Sequence, residues 1–226
     1  MLDGPPIAAI VFDMDGVLVD ARDWHYDALN LALAEHGHAI GRQEHLARFD
    51  GLPTHVKLGM LTAERGLDPA LHGLIAGSKQ AHLARIAAQR CRPIPQVRAA
   101  VTALRARGYR LAVASNATRA NVDLLLRRSG LRDLFHLALS AEDVPMPKPH
   151  PAIYREAMRR LAVGPAETLV VEDSDVGVAA ATASGAALLR VGSPADVRPA
   201  LFARRLGFAP AALPAAPRLQ PAEARC

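Results

Sequence analysis

Two aspartates directly follow the apolar segment of residues 7–12. Asp13 and Asp15 are separated by one residue, and Gly16 comes next. Like charges at the end of a segment that is apolar enough to be buried are unfavourable unless a cation compensates them or some carboxyls are protonated. A turn after a strand would also show this pattern. If the segment is a buried strand, the two carboxylates emerge from it into a site that holds a cation.

Polar residues also follow three other apolar segments. They are Ser115 and Asn116 after residues 110–114, Lys148 in the loop after residues 136–140, and Glu172 with Asp173 at the end of residues 168–172. In an open parallel sheet, ligands bind beyond the carboxyl ends of the strands. Alone, each residue is also explained as a helix cap, a surface charge or a partner of a helix dipole. Their order, each after its own strand, favours one common site.

The residue types predict the chemistry of that site. Four carboxylates without histidine or cysteine favour a hard cation, above all Mg²⁺. A lysine, a hydroxyl and a side-chain amide beside the cation suit the peripheral oxygens of a phosphoryl group. The sequence therefore predicts a Mg²⁺ site that binds a phosphorylated compound.

The elements that position these residues alternate along the chain. Short apolar segments predict buried strands at residues 7–12, 110–114, 136–140, 168–172 and 187–191. A helical pattern precedes each of the last four, at residues 97–108, 119–130, 151–164 and 174–185. Alternation of this kind predicts βαβ units. We therefore expect an α/β fold, a three-layer Rossmann-like core whose parallel sheet is covered by helices on both faces.

Residues 21–92 interrupt this alternation. They show helical stretches at about 23–36, 54–65 and 70–90 and no convincing strand. A segment of this length is too long for a βα connection. We expect an inserted all-helical cap at 21–92, a catalytic core at 7–20 and 93–192, and a tail at 193–226 that is partly disordered or forms a last core element.

Composition excludes several classes of function. The net charge of +5 comes from 27 basic against 22 acidic residues, nearly all the basic ones arginine and scattered along the chain. Without a basic run or interleaved aromatic residues, no nucleic-acid partner is expected. Cys91 and Cys226 form no zinc or disulfide pattern. No signal peptide or membrane span is predicted, so we expect a cytoplasmic protein without a membrane partner.

Four segments resemble signature motifs of a known family. DMDGVLVD, SNAT, KPHPAIY and VVEDSDVGVAAATASG are similar to those of the haloacid-dehalogenase-like hydrolase superfamily, in its branch of phosphatases and β-phosphoglucomutase-like enzymes with a helical cap. The resemblance covers roughly residues 7–192. It implies a Mg²⁺-dependent phosphomonoester hydrolase that acts on a small phosphorylated metabolite, of the sugar phosphate or phosphoglycolate type, through an aspartyl-phosphate.

The resemblance also implies a role for each strand-end residue. Asp13 is the expected nucleophile, and Asp15 the general acid and later the general base. The expected Mg²⁺ ligands are Asp13, the backbone carbonyl of Asp15, and Asp173, with Glu172 as a further ligand or behind one. The expected phosphate binders are Ser115, Lys148 and, in an assisting role, Asn116. Dehalogenases of the superfamily lack an aspartate at the position of Asp15, so phosphoryl transfer is favoured.

Substrate choice is expected to depend on the cap. The candidate substrate residues are His25, Gly51, His55 and Lys57, whereas Lys79 is expected to be solvated. Mutase-like relatives carry a lysine before the glycine and an arginine three residues after it, where this chain has Asp50 and Thr54. A hexose-phosphate mutase therefore stays an alternative. A non-enzymatic phospho-acceptor module, similar to a response-regulator receiver, is a remote one.

Overall fold

A parallel sheet of five strands forms the centre of the computed structural model, which describes residues 6–208. The strands are β1 (Ala9–Phe12), β2 (Arg110–Ala114), β3 (Leu137–Leu139), β4 (Thr168–Glu172) and β5 (Ala187–Arg190). Their order is β3-β2-β1-β4-β5, and every neighbouring pair is parallel. The predicted α/β, Rossmann-like fold is confirmed.

Helices cover both faces of this sheet. They are α5 (Pro95–Ala106), α6 (Arg119–Arg128), α7 (Ala152–Leu161), α8 (Asp175–Ser184) and α9 (Pro199–Leu206). Because side chains alternate along a strand, β1 feeds two apolar clusters. Ile10 and Phe12 pack with α5, α6 and α9, while Ala9 and Val11 pack with α7 and α8. The central strand is therefore buried on both faces, and its carboxyl end opens at the edge that carries Asp13.

The segment between β1 and β2 contains helices and, within the described residues, no strand after Asp20. Its elements are α1 (Arg22–Ala34), α2 (Arg42–Glu44), a π-helical turn (His45–Phe49), α3 (Thr54–Arg65) and α4 (His72–Arg90). Leu29, Leu33, Phe49, Leu61 and Ile75 are fully or almost fully buried in an apolar cluster of this segment. The inserted helices therefore have a core of their own, distinct from the two clusters on the sheet.

Several element ends differ from the predicted ones. Strand β1 begins at Ala9, and α7 ends at Leu161 because Ala162 has a left-handed backbone conformation with φ of 52°. The short α2 and the π-helical turn were not predicted. Within the predicted tail, Pro199 opens α9, and Phe202 of this helix lies 5.8 Å from the ring of Phe12. The rest of the tail, residues 209–226, lies outside the described residues.

In the described part of the chain, no helix combines the length and the apolar character that crossing a membrane requires. The cytoplasmic location stays a prediction.

Candidate active site

A cavity of about 300 Å³ opens between the carboxyl edge of the sheet and the inserted helices. Core and inserted segment both line it. Ten of the predicted site residues line the cavity: Asp13, Asp15, His25, Gly51, His55, Lys57, Ser115, Asn116, Lys148 and Asp173. The remaining one, Glu172, is fully buried behind it. The structure therefore brings together residues that are far apart in the sequence.

Lys148 joins two of the carboxylates. Its Nζ atom donates to Oδ1 of Asp13 at 2.7 Å and to Oε1 of Glu172 at 2.6 Å. Burial alone would lower the pKa of Lys148, but the charges of Asp13 and Glu172 raise it well above its usual value. The lysine is therefore a permanent cation at the base of the cavity.

Both carboxylate oxygens of Glu172 are occupied by protein groups. Oε1 accepts from Lys148 and, at 2.5 Å, from the hydroxyl of Tyr154. Oε2 accepts from the amide of Asp173 at 3.0 Å, with Ser174 close by. Burial favours the neutral form of Glu172, but Lys148 and these hydrogen bonds lower its pKa below the usual value. Glu172 is thus a buried anion that positions Lys148.

Asp173 approaches the turn that follows Asp13. One of its oxygens, Oδ2, accepts a hydrogen bond from the guanidinium of Arg22, at the start of α1. Gly16 has a φ of 86°, and a Cβ at this position would collide with the Asp173 carboxylate. Glycine is therefore required both for the left-handed backbone and for the close approach of the two segments.

The carboxylates of Asp13, Glu172 and Asp173 could hold a metal ion, since one oxygen of each lies within 4.8 Å of the others. Oδ1 of Asp173 is buried and has no hydrogen-bond partner among the residues that the structure describes. Burial raises the pKa of Asp13 well above its usual value, and burial raises the pKa of Asp173 to about 6. Their charges are therefore undercompensated by the protein, and an orphaned buried oxygen fits a hard cation.

Asp15 faces the inserted segment. Its Oδ1 lies 3.1 Å from Nε2 of His25 on α1. Burial opposes ionisation of Asp15, but the charge and hydrogen bond of His25, together with the charge of Lys79, lower its pKa below the usual value. His25 was predicted from the sequence as a substrate residue; in this structure its partner is Asp15.

Asn116 connects the core with the inserted segment. Its side-chain nitrogen donates to the carbonyls of Gly51 at 3.0 Å and Lys148 at 3.1 Å, and its oxygen accepts from the amide of Lys148 at 2.9 Å. The amide group of Asn116 is therefore engaged by two loops. The neighbouring Ser115 is buried, and its Oγ accepts from the amide of Ala117 at 3.0 Å, which leaves its hydroxyl proton available to a ligand.

The prediction that Lys79 is solvated was wrong. Its side chain is buried and lines the cavity, and its Nζ donates to Oγ1 of Thr54 at 2.6 Å. Lys57 is also buried and lies 3.5 Å from Nε2 of His45. The error arose because helix α4 has apolar residues on several sides, so that its buried face cannot be read from the spacing of those residues.

Four residues of the site were not predicted at all: Arg22, His45, Thr54 and Tyr154. Arg22, His45 and Thr54 line the cavity, and Tyr154 lies beneath it. Tyr154 is the third residue of α7 and ends the segment KPHPAIY, so its membership of that motif is the signal that could have indicated a place in the site. His55, which was predicted, is exposed at the rim of the cavity.

A family model described as haloacid dehalogenase-like hydrolase matches residues 10–191. The chain belongs to this family. The match spans the four segments that resemble its signature motifs and most of the described structure. Membership of the family is thus shown by sequence, and the strand ends that carry the carboxylates and Lys148 lie within the matched residues.

The relatives of this chain include phosphatases. The phosphoglycolate phosphatase of Thiobacillus denitrificans is 32% identical over 185 residues, which cover 80% of this chain and 81% of the relative. A variant of CbbY from Rhodobacter sphaeroides, in complex with xylulose-(1,5)bisphosphate, superimposes with a TM-score of 0.75 at 27% identity over 81% of this chain and 85% of that one. The β-phosphoglucomutase of Clostridium difficile shares the fold, with a TM-score of 0.77 at 18% identity over 89% of this chain and 97% of that one.

Proposed function

We propose that this protein is a Mg²⁺-dependent phosphomonoesterase that acts on a small phosphorylated metabolite. One observation carries the proposal. The carboxylate of Asp13 is held at the base of the cavity by Lys148 at 2.7 Å, and the carboxylate of Asp15 is held beside it by His25 at 3.1 Å. One carboxylate is thus oriented to accept a phosphoryl group, and the other to move protons.

The chemistry takes two steps. Asp13 attacks the phosphorus atom and forms an aspartyl-phosphate, while Asp15 protonates the oxygen of the leaving alcohol. Because the contact with His25 favours the ionised form of Asp15, Asp15 takes up this proton from solvent before the first step. Asp15 then removes a proton from the water that hydrolyses this intermediate. His25 keeps Asp15 oriented in both steps. Splitting the displacement in this way lets the same carboxyl group act first as an acid and then as a base.

Lys148 and Ser115 bind the phosphoryl oxygens in this proposal. Lys148 is a buried cation in contact with Asp13, and Ser115 retains a hydroxyl proton to donate. Asn116, which was predicted to assist in phosphate binding, instead fixes the loop of Lys148 and the backbone of Gly51. We therefore assign it to positioning of the phosphate binder and of the loop at Gly51.

Asp13, Asp173 and the backbone carbonyl of Asp15 would hold the Mg²⁺ ion. Glu172 is the less suitable ligand of the predicted set, because protein donors engage both of its oxygens. When bound, Mg²⁺ would attract the anionic phosphoryl group to the anionic Asp13 and stabilise charge during transfer. The residues 21–92, as the inserted cap, would exclude bulk water from the core of residues 7–20 and 93–192 during this step.

The named relatives support hydrolysis of small phosphate esters. One is named for phosphoglycolate, and another was crystallised with a sugar bisphosphate. The mutase alternative is less well supported. The two positions at which mutases have a lysine and an arginine are Asp50 and Thr54 here, and both contact basic side chains of other residues. Asp50 lies 3.9 Å from Arg22, and Thr54 accepts from Lys79. Membership of the hydrolase family removes the support for a receiver-like module.

The test is phosphate release from a panel of phosphate esters by the purified protein with Mg²⁺. Asp13→Asn is the matched control, because it preserves size and removes the nucleophile. We expect release by the wild type and none above background by the variant. Equal release by both proteins would refute the proposal, and interconversion of sugar 1- and 6-phosphates without free phosphate would favour the mutase.

A further inference from the structure

The chain contains only three lysines among its 27 basic residues, at positions 57, 79 and 148. All three line the one cavity that contains Asp13. Their residues are 4%, 6% and 3% exposed, respectively. A chain that otherwise uses arginine therefore places each of its lysines, with their compact and adaptable charge, at this cavity.

The three lysines differ in their partners. Lys148 is paired with the carboxylates of Asp13 and Glu172. Among residues 6–208, no carboxylate lies within ion-pair distance of Lys57 or Lys79, whose nearest polar partners are the neutral groups of His45 at 3.5 Å and Thr54 at 2.6 Å. Burial and the charge of Lys57 lower the pKa of His45 to about 4, so this imidazole is a neutral acceptor.

Two buried ammonium groups without counterions are unfavourable. Burial lowers the pKa of Lys57 to about 8, and burial together with the charge of Lys57 lowers the pKa of Lys79 to about 7. The two groups thus repel each other within the inserted segment. A ligand anion between them would compensate both charges, as Asp13 and Glu172 do for Lys148.

We propose that Lys57 and Lys79 form a second anion-binding subsite in the inserted segment, so that the substrate is a phosphomonoester with a second anionic group, a carboxylate or a phosphate. The inference rests on the proposed function, because the reacting phosphoryl group occupies the end of the cavity at Lys148 and Ser115. The second group then lies against α3 and α4. Recognition and chemistry use different lysines of one cavity.

Pairs of substrates that differ only in the second anionic group test this subsite. The Mg²⁺-loaded protein is assayed with 2-phosphoglycolate against 2-hydroxyethyl phosphate, and with xylulose 1,5-bisphosphate against xylulose 1-phosphate. We expect kcat/KM to favour the member that carries the second anionic group, in at least one pair, by about 10- to 100-fold. This is the range for losing a hydrogen bond to a charged group. The favoured pair identifies the second group as a carboxylate or a phosphate.

Variants then assign the preference to the lysines. Lys57→Met and Lys79→Met should reduce the preference by about 10-fold or more, chiefly through the substrate with the second anion. Arg85→Met is the matched control, since it removes one positive charge from an exposed position of the same helix as Lys79, outside the cavity. It should leave the preference unchanged.

The outcomes separate this inference from the proposed function. Absence of any preference in the wild type, or an equal loss for both members of a pair in the lysine variants, would overturn the second subsite while hydrolysis itself stands. The wild-type comparison needs no variant to fold. Failure of the wild type to release phosphate from any ester would instead refute the phosphatase proposal.

Discussion

His25 on the first inserted helix and Asp15 after the first strand lie 3.1 Å apart, between Nε2 and Oδ1. This contact crosses from the inserted segment to the core. It orients the carboxyl group that, in our proposal, moves protons in both steps. His25, a residue of the inserted segment, therefore acts on the reacting groups through its contact with Asp15.

Replacement of His25 should weaken turnover more than binding. In His25→Gln the side chain stays polar but loses the imidazole contact, so Asp15 can adopt unproductive orientations. We expect kcat to fall about 10-fold with a small change in KM, which is less than the roughly 10²–10⁴-fold that a positioned acid contributes because Asp15 itself remains. Steady-state kinetics with the best substrate of the panel measures both constants. A rise in KM at unchanged kcat would instead indicate that His25 contacts the substrate, as the sequence suggested.

Removal of the Tyr154 hydroxyl should destabilise the protein. The hydroxyl donates to Oε1 of Glu172 in a fully buried position, and hydrogen bonds to charged groups contribute about 1.5–3 kcal/mol. We expect Tyr154→Phe to lower the free energy of unfolding by about that amount. Urea denaturation measures it, with Tyr109→Phe, outside the cavity, as the control. Equal stability of the two variants would show that the hydroxyl is not needed to hold Glu172.

Lys79→Met should increase stability at neutral pH while it impairs substrate selection. The pKa of Lys79 is about 7 in the folded chain, against an ordinary value of 10.5 when unfolded. Below pH 7 both states carry the charge, and the folded state bears the cost of burying it beside Lys57, with Thr54 as its one hydrogen-bond partner in the described part of the chain. Between pH 7 and 10.5 the unfolded state binds more protons, so stability rises with pH.

The variant lacks this buried charge. We expect it to be more stable than the wild type by about 1–3 kcal/mol at pH 7, with the difference shrinking as the pH approaches 10. Asp15 also faces Lys79, and its charge reduces the gain. Unfolding curves of both proteins across this range measure the difference. A destabilised variant at pH 7 would show that Lys79 serves the packing of the fold.

Mg²⁺ should raise the melting temperature through Asp173. A cation that binds only the folded chain stabilises it, by about 2.7 kcal/mol at a hundredfold excess over its dissociation constant. In thermal melts with Mg²⁺ or with EDTA, we expect a shift for the wild type and a much smaller one for Asp173→Asn. Glu172→Gln should keep more of the shift, because the oxygens of Glu172 bind protein donors. An undiminished shift in Asp173→Asn would place the ion elsewhere.

Much of this architecture follows from local sequence patterns. Strand β2 begins and ends as predicted because the apolar segment is bounded by charged and polar residues on both sides. Four polar residues meet because each follows a strand of one parallel sheet: Asp13, Ser115, Lys148 and Asp173. All strands of such a sheet end at the same edge, so this meeting can be predicted without knowing the strand order.

The inserted segment was harder to predict for a physical reason. Its helices pack against one another and against the core, so that more than one face of α4 is covered. Lys79 lies between the polar residues Ser78 and Gln80, a pattern typical of a solvated position, yet tertiary packing buries it beside Thr54. The role of Asn116 was similarly hidden, since its partners at positions 51 and 148 are distant in sequence.

The inserted helices form one uninterrupted stretch between the first and second strands, and this stretch carries His25, Lys57 and Lys79. In our proposal, the residues that select the substrate therefore lie in a single continuous block of the gene, which also supplies His25 to the proton-transferring Asp15. Exchange of that block between two such hydrolases would move ligand preference from one to the other while the phosphoryl-accepting apparatus stays in place.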